Sequence, residues 1–243
     1  IFHSCDIEIN RFIFSSYAAG ICCFTQDQID YGCGIIDIGY EKTSLALFKD
    51  SSLIHAVSFP IGSNHITKDI ARGCYLSETE SEIIKKDISI IENLDKEVNE
   101  NQFLSEEYFS KTKFRKISTK FVKDIILARL NEILNKVFEE INLLRTNSIK
   151  HNLFFIGGGS KINGLSKIVN ISSSFSVNNP SVNNSDFEKS KLFEKANIAR
   201  EFFPCYGAYQ ILNKGFSSEA IGISNRGKNE KSALFNRIFN IFN

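Results

Sequence analysis

Three short apolar runs stand close together near the start of this 243-residue chain, at 33–39, 43–49 and 53–59. The last two are divided by the turn-like Asp50-Ser51-Ser52, and the spacing predicts a three-strand meander. The period then changes. Ser77 and Glu80 have the spacing of a capping box and open a predicted helix over 77–91, whose apolar side is Ile83, Ile84, Ile88 and Ile91. A longer helix is predicted over 118–144, where Val122, Ile126, Leu130, Ile133, Val137, Ile141 and Leu144 recur at steps of four and three. A strand over 151–156 follows, then the turn Gly157-Gly158-Gly159 and a helix from Ile162. Residues 92–116 are charged and weakly periodic, and predict loops with a short strand. The Ser- and Asn-rich residues 172–191 predict an exposed loop, and 196–212 a helix interrupted at Pro204.

Strand meander, helical insertion, long helix, strand, glycine turn and helix, in that order, make an α/β chain without internal repeats. Residues 214–231 are rich in Gly, Ser and Asn and have the composition of a linker. The last twelve residues, 232–243, differ again. Leu234, Phe235, Ile238, Phe239, Ile241 and Phe242 fall on one broad helical face, opposite Asn236, Asn240 and Asn243. Such a helix spans only about 18 Å, too short to cross a bilayer but suited to lying in its interface. Arg226, Lys228, Lys231 and Arg237 against Glu230 make this tail locally cationic, which favours anionic headgroups. Docking on the domain's own surface is the alternative.

Composition narrows the classes. A net charge of +1 leaves no chain-wide attraction for nucleic acid, and 42% hydrophobic residues are those of a globular protein. The six cysteines form no CxxC pair, and their spacing with the four histidines is not that of a zinc site. They are expected as buried or incidental thiols. Residues 12–24 form the longest apolar stretch and fall short of the roughly 18 residues that span a membrane. The chain contains no Met, and its first residues already have the pattern of packed structure, so a fragment or remnant of a longer protein is expected.

Two glycine-bearing turns carry the candidate chemistry. Asp37-Ile38-Gly39 closes a predicted strand, where a carboxylate can meet a phosphate-bound Mg²⁺ and a glycine lets backbone approach a phosphate. Gly157, Gly158, Gly159 and Ser160 follow another strand and let a flat ligand lie on backbone near a helix start. Either sequence can also serve only to turn the chain. Glu82 and Lys85 lie three apart on one helix face, placed to reach a sugar hydroxyl or to pair at the surface.

The ordered set of motifs resembles the FtsA family of bacterial division actins. Ser16-Tyr17-Ala18-Ala19-Gly20 and Ile36-Asp37-Ile38-Gly39 resemble its hinge and second phosphate motif. His65-Ile66-Thr67 and Asp69-Ile70-Ala71-Arg72-Gly73 are very similar to another family pattern, as are Glu82 to Lys85, Ile125 to Ile133, and Phe155 to Leu165. The resemblance implies an actin-like (ribonuclease H-like) second lobe. Its core would be 33–80 and 151–213, its insertion 81–150, with the end of a first lobe at 1–32. It also implies ATP and Mg²⁺ held by Asp37, Gly39, Thr43, Glu82, Lys85, Gly157, Gly158, Gly159 and Ser160. The implied role is a tether of the FtsZ ring at the division site. It would grip the FtsZ C-terminal peptide near Arg129, self-associate into filaments, and rest its tail on the anionic cytoplasmic face of the inner membrane. The sequence departs from the family where Tyr40 and Glu41 replace two glycines of the phosphate turn. Glu41 adds a repulsion of about 1 kcal/mol even in a wet site, so no measurable ATP hydrolysis is expected. An actin-fold ATPase or kinase and a PilM-like pilus assembly protein are the other readings.

Overall fold

The computed structural model describes residues 5–6, 12–88, 90, 102–144, 147–178 and 202–213. Five strands form one mixed sheet: β1 (Cys33–Ile38), β2 (Thr43–Lys49), β3 (Ser52–Phe59), β4 (Leu153–Ile156) and β5 (Val177–Asn178). Their order is β3-β2-β1-β4-β5. The first three make the expected antiparallel meander, and β4 and β5 continue it in parallel with β1.

The central strands are apolar at nearly every position because both faces are covered. On one face Ile36, Ile38, Leu45, Leu47, Leu153 and Phe155 join a core with the helices α3 (Ser63–Cys74), α4 (Glu78–Asp87), α5 (Thr119–Leu143) and α6 (Leu165–Ser172). The stripe Val122, Ile126, Leu130, Ile133, Val137 and Ile141 of α5 is buried in it, as its period predicts. On the other face Ile35, Ala46, Phe48, Phe154 and Ile156 pack against α1 (Ser15–Cys23), α2 (Gln26–Tyr31) and α7 (Phe203–Asn213). The result is an α/β/α sandwich.

Helices α1 and α7 cross at contact distance. A methyl group on Gly207 would lie 1.7 Å from the carbonyl oxygen of Ala18, so only a glycine fits at this crossing.

Several boundaries differ from expectation. Helix α4 stops at Asp87, where Ile88 turns to extended backbone. Strand β4 starts only at Leu153, after a 3-10 turn over Asn147–His151. Residues 196–201 of the expected helix lie outside the described residues, and Pro204 falls near the start of the described part. It stands in the first turn of α7, where no intrahelical hydrogen bond needs its missing N–H. The predicted loop over 172–191 contains β5, which is too short to show a period. The described part of 92–116 holds a 3-10 turn at Glu106–Tyr108, and Phe103 pairs with Ser118 as an isolated bridge. Residues 214–243, with the expected linker and amphipathic tail, lie outside the described residues.

Candidate functional site

Strands β1 and β4 run side by side in parallel, with Asp37 opposite Ile156, so the two glycine turns leave the sheet together at its carboxyl edge. In open α/β sheets this edge is where ligands bind. Gly157 has φ +83°, and a Cβ there would meet Asp37 Oδ1 at 2.4 Å. Gly159 packs as tightly on the Ile38 side chain, whereas Gly158 has nothing within 4 Å of the Cβ position among the described residues. The middle glycine therefore offers open backbone. Ser160 turns inward and donates its hydroxyl to the Gly157 carbonyl at 2.7 Å.

The other turn is tied into α3. Gly39 N–H donates to Lys42 O (2.9 Å) and closes the β1–β2 hairpin. The first amides of α3, Ser63 and Asn64, donate to the carbonyls of Gly39 (2.9 Å) and Tyr40 (2.8 Å). His65 Nδ1 accepts from Gly62 N–H, which fixes the helix start. These bonds use the donors that a free helix N-terminus would offer an anion. Asn64 Nδ2 also holds the Glu41 carboxylate at 2.7 Å, so Glu41 adds its charge at this helix end. Thr43 is buried and commits its hydroxyl proton to Ile61 O at 2.7 Å.

Glu82 and Lys85 are not a surface pair. Lys85 is 4% exposed, and its ammonium donates to Ser63 O, Thr67 Oγ1 and Glu82 Oε2 at 3.2, 2.8 and 2.6 Å. Burial pushes the Lys85 pKa down, against the Glu82 carboxylate that holds the charge in place. For Glu82 burial acts upward, and bonds from Lys85 and Thr67 outweigh it. Through Ser63 this cluster joins the start of α3 and so the Gly39 turn.

Asp37 stands between the two turns. Burial raises its pKa, and the nearby Lys42 only partly opposes this. Asn64 Oδ1, at the same turn, is a buried acceptor with no hydrogen-bond partner among the described residues. Among the described residues no group of three or more His, Cys, Asp or Glu is arranged to hold a metal. A single carboxylate still suits Mg²⁺, which keeps waters and takes its other ligands from phosphates.

Arg129 lies elsewhere, on α5. It clamps Asp69 of α3 with Nε at 2.6 Å and Nη2 at 3.1 Å, and also reaches Glu132. The guanidinium thus braces α3 against α5, and three-quarters of it is covered. Asn64 and Thr67 join the site through contacts with Glu41 and Glu82, and although Thr67 belongs to the motif similar to a family pattern, no site role is expected of either from the sequence.

The family model for the cell division protein FtsA matches residues 34–194, well over half of the chain. The chain belongs to the FtsA family. It is 28% identical over 159 residues to the FtsA of Bacillus subtilis, covering 65% of this chain and 36% of that protein. With the FtsA of Escherichia coli it shares 26% over 169 residues, 66% of this chain and 40% of that protein. It therefore spans well under half the length of these relatives. Among solved structures, MreB 5 of Spiroplasma citri bound to AMPPNP aligns at TM-score 0.57 and 23% identity. That alignment covers 79% of this chain and 61% of MreB 5. The PilM-PilN type IV pilus biogenesis complex aligns at 0.60 and 17%, over 84% of this chain and 53% of the other. These likenesses establish the actin-like fold.

Proposed function

We propose that this chain is the second-lobe portion of a division actin that tethers the FtsZ ring to the cytoplasmic face of the membrane. The observation that carries the reading is the meeting of the Asp37 and Gly157-Gly158-Gly159 turns at one sheet edge, in a chain of the FtsA family. That edge suits an adenine nucleotide with Mg²⁺. The backbone of Gly158 is open to a flat ring, and the Asp37 carboxylate and Asn64 Oδ1 are acceptors suited to a hydrated cation. In this arrangement Gly157 to Ser160 hold the adenosine, Glu82 and Lys85 stand toward the ribose, and Asp37 and Gly39 face the phosphates. The bound Mg²⁺ would neutralise phosphate charge.

The phosphate side is poor for turnover. The α3 amides are already spent on Gly39 and Tyr40, Thr43 is committed to Ile61, and Glu41 is held in place as an anion. The reading is therefore a nucleotide-responsive tether with no measurable ATP hydrolysis. Domain limits follow the family: a core of 33–80 and 151–213, an insertion of 81–150, and a tail of 232–243 that rests on anionic lipid. The α5 surface near Arg129 is assigned to the FtsZ C-terminal peptide.

The test is anisotropy with a labelled FtsZ C-terminal peptide and, in parallel, a pilus-protein peptide. Selective binding of the first is expected, and equal or reversed preference overturns the tether reading. Phosphate release above background that disappears in Asp37→Ala would overturn the claim that turnover is lost.

A further inference from the structure

The α1 face of the sandwich has a cavity that the nucleotide site does not use. It is a half-open pocket of about 160 Å³ between α1, α2 and the β2–β3 hairpin, with Tyr17, Ile21, Ile29, Phe48 and Leu53 as its apolar walls and Gln26, Ser51 and Ser52 as its polar side. That volume is about the size that holds one benzene ring, and the apolar walls are the part suited to one. Its rim is acidic. Asp27 and Asp30 of α2 and Asp50 of the hairpin are exposed, and Lys49 stands next to Asp50 in the chain. Asp30 accepts from Gln26 and Ser51, which holds its carboxyl below the ordinary range and keeps it charged.

We propose that this cavity receives a phenylalanine from the chain's own segment 232–243, so that the tail divides its time between the groove and a lipid surface. The proposal rests on the tether reading for the lipid half only. The segment offers Phe235, Phe239 and Phe242, rings of the size the cavity takes. It and the residues before it carry Arg226, Lys228, Lys231 and Arg237, which complement the acidic rim. The reach is sufficient. Helix α7 ends at Asn213 and packs on α1, the helix whose Tyr17 and Ile21 line the groove. Helix α1 has nine residues and is about 14 Å long. A chain of 18 residues with the Gly- and Ser-rich composition of 214–231 has a root-mean-square span of about 23 Å. A tail held in the groove is withdrawn from lipid, so its apparent membrane affinity falls by the fraction that remains free.

The 243 residues contain no Trp, so Phe239→Trp makes a unique reporter in this chain. Without lipid, blue-shifted emission shielded from acrylamide is expected, and Leu53→Lys should move it to that of indole in water. Asp27→Lys, an exposed change that leaves the cavity walls intact, should loosen the contact in the same direction, less at high salt. Emission of a water-exposed indole in the parent overturns the proposal. So does shielded emission that neither change alters, which would seat the tail elsewhere. Circular dichroism and a shared thermal midpoint for the Asp27→Lys chain keep the result independent of misfolding. Vesicles of phosphatidylcholine with phosphatidylglycerol separate the two halves. Leu53→Lys should bind them about tenfold more tightly than the parent, as expected if the groove holds some nine-tenths of the tails. If no protein binds the vesicles, the membrane reading fails and the groove contact is still decided by the lipid-free emission.

Discussion

Glu80 has no exposed surface, yet its carboxylate stays ionised because every nearby donor turns toward it. It accepts from the Ser77 hydroxyl at 2.6 Å and from the backbone amides of Ser77, Lys111 and Thr112 at 2.9, 2.7 and 2.9 Å. Burial acts to raise its pKa, but these bonds outweigh it and bring the value from 4.5 down to about 2. A depressed folded pKa means stability that is complete above pH 4.5 and is lost as pH falls toward 2. Glu80→Gln should cost about 2–3 kcal/mol at pH 7, with a difference from the parent that narrows below pH 4.5. Urea melts across pH 3 to 7 measure this, and a gap that stays constant with pH would contradict the assignment. Asp37 is the converse. Burial raises its folded pKa, so its contribution is favourable at low pH and is lost as pH rises through that value. Asp37→Asn should therefore stabilise the ligand-free chain at pH 7, by about 1 kcal/mol, while weakening any Mg²⁺-dependent nucleotide binding. A parallel pair of thermal melts, with and without Mg²⁺-ATP, separates the two effects.

Elements whose sequence patterns are strong were legible, and elements set by contact were not. The meander shows as three short apolar runs, which a sheet covered on both faces requires, and α5 shows as a stripe of period 3.6. The Ser77–Glu80 spacing gave the start of α4, but the link from Glu80 to Lys111 and Thr112 spans more than thirty residues and leaves no local trace. β5 has two residues and no period to detect. In the candidate site, the glycines and Asp37 stood out because a turn at a strand end needs them. The burial of Lys85 did not, because a lysine three residues after a glutamate has the same pattern on an exposed helix. Close helix contact is equally invisible in sequence, and it can be tested by one methyl group. Gly207→Ala should drive α7 off Ala18 and cost about 3 kcal/mol or more, whereas Gly158→Ala, with open space around it, should leave the melting temperature within experimental error. Similar losses for the two would show that the α1–α7 crossing does not limit stability.

At the scale of the whole molecule, the candidate site and the tail solve different problems. If the sheet edge takes nucleotide as proposed, one strand pair and two turns offer it few contacts, so affinity should be modest in this chain. A twelve-residue amphipathic segment has the same limitation toward lipid, since one short helix binds a bilayer weakly and reversibly. Many tails held in one assembly overcome it, because each bound tail raises the effective concentration of the next at the surface. Membrane attachment should therefore report self-association. In co-sedimentation with anionic vesicles, the bound fraction should rise steeply with protein concentration, and removal of 232–243 should abolish it. A peptide of 232–243 alone should bind along a simple hyperbola, at least tenfold more weakly than the assembled chain. If the full chain follows the same hyperbola as the peptide, the tails act singly and the tether does not depend on polymer formation. If the truncated chain pellets equally well, the attachment lies in the folded lobe, and the cationic face of the tail has no part in it.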